Sequence, residues 1–75
     1  MIKKYEYHGL DITLDIMDKI RNVVDFIAKK ENKNFEEAYY LFAKSNTYIS
    51  LVTPDTLMWS ESSEFIADEY YRERD

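Results

Sequence analysis

The residues best equipped for proton chemistry are the single histidine, His8, and three close carboxylate pairs: Asp11 with Asp15, Glu36 with Glu37, and Glu64 with Asp68. A catalytic nucleophile needs a base, and the base needs an orienting partner. His8 stands beside Gly9, the single glycine, and reads as a turn residue. Two acids doing glycosidase-type work need one cleft that drives their pKa values apart. A chain of 75 residues rarely encloses such a cleft. The same acids sit where helix starts favour negative charge. Asp11, Asp15 and Asp18 are spaced to face a divalent ion, but no calcium-loop pattern accompanies them. One histidine and no cysteine cannot build a Cys/His zinc site, and one glycine cannot build a glycine-rich phosphate loop. The chain therefore reads as a non-enzyme with no catalytic, cofactor-binding or metal-binding residues.

What remains is surface chemistry, and its charge is unevenly placed. The net charge is −5. Residues 1–53 hold eight acids and eight bases, whereas residues 54–75 hold seven acids against Arg72 and Arg74. Phosphate backbones demand the opposite sign, so direct nucleic-acid binding is disfavoured. A basic protein would be attracted. The aromatic content is high, with seven Tyr, four Phe and one Trp. Aromatics serve a small core and a partner surface equally well.

Helices must position these residues. In Ile16 to Ala28, Ile16, Ile20, Val23 and Ile27 recur at helical spacing, with Asp18, Asn22 and Asp25 opposite. This helix is expected to start between Thr13 and Asp15, with one of those two as N-cap, and to end at Lys29-Lys30. Asn34 followed by Glu37 has capping-box spacing and opens a second helix with Phe35, Ala38, Tyr39 and Phe42 on its core face. That helix should fray near Ser45-Asn46, with another short helical turn over Thr47 to Val52. Pro54-Asp55-Thr56 reads as a turn. Leu57 to Trp59 is expected to be a short extended plug in the core. Ser60 or Ser62 then caps a last helix through about Arg72, with Ile66, Ala67, Tyr70 and Tyr71 inward and Phe65 outward. Residues 2–14 read either as two short strands joined at His8-Gly9 or as an extended lead-in.

The expected fold is mostly α: a single domain over 1–75, a small three- to four-helix bundle with 15–73 as helical core, and with or without a short N-terminal β-hairpin. Its expected core is Ile16, Ile20, Val23, Val24, Ile27, Phe35, Ala38, Phe42, Leu51, Trp59 and Ile66. No apolar run approaches a membrane span, Lys3-Lys4 lead into no signal-like apolar segment, and the polar face of the first helix is not basic. A cytoplasmic protein without membrane partners is expected.

Residues 41–71, LFAKSNTYISLVTPDTLMWSESSEFIADEYY, carry Phe42, Ser45, Thr47, Tyr48, Leu51, Asp55, Thr56, Leu57, Ser62, Phe65, Ile66 and Asp68. With the amphipathic first helix, this pattern resembles a family of short bacterial and phage-borne helical proteins, a domain of unknown function encoded beside toxin and mobile-element genes. The resemblance implies an antitoxin-like or adaptor role in protein binding and brings no catalytic residues. The leading expectation is thus a small protein-interaction module. It would meet a basic, toxin-like protein through Glu64, Phe65, Asp68, Glu69, Tyr71 and Glu73 on the last helix. The alternatives are a self-associating structural domain without a separate ligand and a nucleic-acid-associated regulator. A homodimer is expected, because the core is small and Tyr40, Phe65 and Tyr71 are more apolar than an isolated surface needs.

Overall fold

The apolar stripe of the first helix sets the architecture. In the computed structural model, which describes residues 5–74, Thr13–Glu31 forms helix α1. Ile16, Val23, Val24 and Ile27 are fully buried along it, and Ile20 is half-buried at its edge. Two further helices, α2 (Phe35–Ala43) and α4 (Ser63–Arg74), pack against α1, and the short helix α3 (Asn46–Leu51) bridges to α4. Ala38, Phe42, Leu51, Ile66, Ala67 and Tyr70 close the core from these helices. The Phe42 ring sits edge-to-face on Tyr48 and Tyr70, with centroids 5.6 and 5.7 Å away. Over the described residues the fold is a four-helix globule with a small antiparallel hairpin preceding α1.

The hairpin pairs strand β1 (Glu6–Tyr7) with β2 (Leu10–Asp11), Tyr7 lying opposite Leu10. His8 and Gly9 form the two-residue loop, both at positive φ (49° and 82°). That is the backbone of a primed turn, whose twist matches the strands and which glycine enters without a steric cost. The expectation of a strand pair is met over 6–11; its part on residues 2–4 lies outside the described residues. The hairpin does not stand alone. Tyr7 packs edge-on against Trp59 at 5.7 Å, and the Tyr5 backbone N–H donates to Thr13 Oγ1 at 2.8 Å. An isolated two-strand hairpin is marginal in water, so these contacts are what hold it.

Helix boundaries follow local chemistry. Asn34 caps α2, its Oδ1 accepting the Glu37 N–H at 2.8 Å, and Ser62 Oγ accepts the Phe65 N–H at 3.1 Å at the start of α4. At the end of α1, Asn32 turns left-handed (φ 54°) and the Lys33 N–H reaches back to the Ala28 carbonyl, which closes the helix. Asp25–Lys29 and Asp68–Arg72 lie as ion pairs along their helices at 3.0 and 3.6 Å.

Three expectations are corrected. The start of α1 is capped by neither Thr13 nor Asp15: Ile12 holds the N-cap position without a side-chain bond, and Asp11 Oδ1, two residues before Thr13, accepts the Thr13 N–H at 3.0 Å as in an Asx turn. Phe35 and Tyr39, expected on the core face of α2, are instead 47% and 41% exposed, since Phe35 occupies the first turn beyond the packed stripe and Tyr39 lies one turn on from it, and only Ala38 and Phe42 of α2 are buried. Leu57 to Trp59 is not extended. Two 3-10 turns, Pro54–Thr56 and Met58–Ser60, meet at Leu57, which is left-handed with φ 62°. The chain doubles back so that the Trp59 Nε1–H donates to the Pro54 carbonyl at 2.9 Å. Trp59 and Met58 then pack half-buried on the core.

Candidate functional site

The six residues singled out on the last helix divide into two groups. Glu64, Phe65 and Asp68 face solvent and Glu69 is half-buried beside them; Phe65 is 44% exposed. Their spacing (64, 65, 68, 69) makes one continuous stripe, because positions three and four apart are neighbours on a helix. Arg72 completes its C-terminal end, pairing with Asp68 and, at 3.2 Å, with Glu69. The outward aromatic is thus bordered by three carboxylates and one guanidinium. The inward-facing residues Ile66, Ala67 and Tyr70 explain why the stripe cannot rotate into the core.

Tyr71 and Glu73 are engaged within the fold. The Tyr71 hydroxyl donates to Glu31 Oε2 at 2.6 Å, and the Lys30 ammonium lies 4.5 Å above its ring. Burial, then the bond to Glu31, pushes the Tyr71 hydroxyl well above the usual phenol range. Glu31 also accepts from Arg74 Nη1 at 3.1 Å, and the same nitrogen donates to the Tyr70 hydroxyl at 3.1 Å. The C-terminal turn of α4 is therefore tied to the C-terminal turn of α1.

Glu73 does a second job that local sequence does not announce. Its carboxylate accepts the backbone N–H groups of Asn46 (2.9 Å) and Thr47 (2.7 Å) and the Thr47 hydroxyl. Ser45 Oγ takes the next donor, Tyr48 N–H, at 3.0 Å. Three of the four orphan donors at the start of α3 are thus satisfied, two of them by a side chain some 26 residues away. Desolvation alone would raise the Glu73 pKa; the three hydrogen bonds outweigh it and hold the carboxyl below its ordinary value. A signal for this role was available only in the sum of two facts: Asn46-Thr47 starts a helix without its own acid, and an acid lies at the far end of the chain.

The carboxylates near the start of α1 lie apart from the α4 stripe. Asp15 and Asp18 line an open polar cleft with Lys19, Asn22, Trp59 and Ser60, while Asp11 is turned to the α1 cap. Among the described residues, no group of three His, Cys, Asp or Glu side chains could hold a metal ion. His8 lies edge-on to Tyr7 in the hairpin turn. Among the described residues, no helix is long and apolar enough to cross a membrane. Comparison with protein-family models, curated proteins and solved structures returns no match.

Proposed function

We propose that this chain is a protein-interaction module that meets a basic protein partner through the outward stripe of α4, with Phe65 as anchor and Glu64, Asp68 and Glu69 as its charged rim. The observation that carries the reading is the half-exposed Phe65 ring set among these carboxylates on a helix whose opposite side is fully committed to the core. Interfaces favour aromatic anchors inside a polar rim. The placement of all net charge after residue 53 supports a basic partner. The resemblance of residues 41–71 to toxin-neighbour families points the same way and suggests an antitoxin-like or adaptor role in the bacterial cytoplasm. Tyr71 and Glu73 leave the proposed contact set, because their polar atoms are used within the fold.

The test is comparative capture. The full chain, Phe65→Ala, and Glu64→Lys with Asp68→Lys are immobilised and exposed to host lysate at low and high salt. The proposal expects a basic protein retained by the parent, lost from both variants, and weakened by salt. Equal retention by all three, or no retained basic protein, overturns it.

A further inference from the structure

A second surface is apolar rather than acidic, and it lies between α1 and α2. Met17, Ile20 and Arg21 of α1 and Phe35 and Tyr39 of α2 line a shallow groove of about 250 Å³. Met17, Phe35 and Tyr39 are 49%, 47% and 41% exposed. Leu14, one turn before Met17 on the same side of α1, is 76% exposed. The groove lies below the size range of pockets that enclose a drug-sized ligand. It suits side chains presented by another protein surface.

We infer that this face is covered by the same face of a second copy, in a two-fold symmetric dimer. Size is the first argument. A large side chain offers about 150–250 Å² when free, so these four leave roughly 400 Å² of apolar surface per copy. That is the size of the largest apolar patch of an ordinary monomer, a patch that is often functional. Two such faces together, with the polar rim they cover, reach the roughly 1,000 Å² at which a specific interface begins.

Charge identifies the occupant. Arg21 is the single charged residue lining the groove, and Asp18 lies 3.8 Å from it on the same helix. In an isologous pairing that sets each Arg21 against the other copy's Asp18, the same contact forms twice and the rim is self-complementary. From Thr13 to Ala43 the chain holds six acids and five bases, close to neutral. Two copies meeting through α4 would instead bring the strongly acidic 54–75 segments together. A basic partner meets only a cation, Arg21, lining this groove, whereas the α4 stripe offers it three carboxylates against Arg72. The dimer thus joins copies by their neutral sides and leaves both acidic stripes outward. It stands independently of the role proposed for α4.

The test is sedimentation equilibrium of the full chain from low to high micromolar concentration, with Leu14→Glu, Met17→Glu and Tyr40→Ser as variants. Tyr40 is exposed on the other side of α2 and serves as control. The expected parent mass rises from the 9.1 kDa of one chain to twice that value. Leu14→Glu and Met17→Glu should each weaken the dimer tenfold or more, while Tyr40→Ser leaves it unchanged. Leu14 is exposed enough that its variant keeps the fold, which thermal melting verifies. A monomer at every concentration overturns the inference. So does a dimer that survives both glutamate variants, or one that Tyr40→Ser dissolves.

Discussion

Removing the Glu73 carboxylate isolates the contact that ties α4 to α3. Helix α3 is six residues long, far below the length at which a helix persists by itself. It is held by its buried Thr47 and Leu51 and by its capped first turn. Glu73→Ala releases the N–H groups of Asn46 and Thr47 and the Thr47 hydroxyl, which lies in a buried residue. Losing a helix cap typically costs about 1 kcal/mol, and charge-assisted bonds lie at the upper end of the range, so a loss of about 1–2 kcal/mol is expected. For a domain of this size, that is a fall of very roughly 5–15 °C in Tm. The pH dependence has a definite sign. Because the folded Glu73 pKa is depressed, its contribution is complete above the ordinary carboxylate range and disappears as pH falls through the lower, folded value. Thermal melts of the parent and of Glu73→Gln should therefore differ at pH 7 and converge toward pH 3. The difference between the two proteins cancels the titration of the other acids. Equal melting at pH 7, or a gap that does not change with pH, would refute the capping argument.

Other outcomes follow from the packing. Phe42→Ala, at a fully buried ring between Tyr48 and Tyr70, should cost about 3–5 kcal/mol and leave the domain near unfolding in urea titrations at 25 °C; a melt within two degrees of the parent would contradict this core. Ile20→Ala should cost less, because Ile20 is only half-buried. Gly9→Ala meets no atom near its new Cβ but must hold φ at 82°, so it should cost about 1 kcal/mol through backbone strain alone, read as loss of the hairpin amide shifts with α1 unchanged. Burial, with Tyr39 beside it, pushes Tyr48 up to about 12, and Tyr71 is also raised. The stability they supply is complete below pH 10 and lost as pH rises toward 12. Absorbance at 295 nm should show fewer than seven tyrosines titrating near pH 10 before the fold opens.

The elements with strong period were legible in the residues themselves. Helix α1 announces itself through Ile16, Val23 and Ile27, and Asn34 and Ser62 mark the starts of α2 and α4 by ordinary capping chemistry. Phe65 was placed outward by the same arithmetic. What the residues hide is non-local. The Tyr71–Glu31 bond joins residues 40 apart, so both looked like ordinary surface groups. The Leu57 kink escapes because a left-handed leucine carries no compositional mark, unlike Gly9. Phe35 has the right period for the core but sits one turn past the packed region, which period alone does not reveal.

The claim that α4 is the binding surface is tested most directly by the rates of complex formation with the captured partner. Rim carboxylates accelerate encounter with a basic protein, and a buried anchor delays its departure. Asp68→Lys with Glu69→Lys should lower the association rate, most strongly at low salt. Phe65→Ala should chiefly raise the dissociation rate, with Tm unchanged. Unaltered rates in both variants would contradict the account and remove α4 as the contact surface.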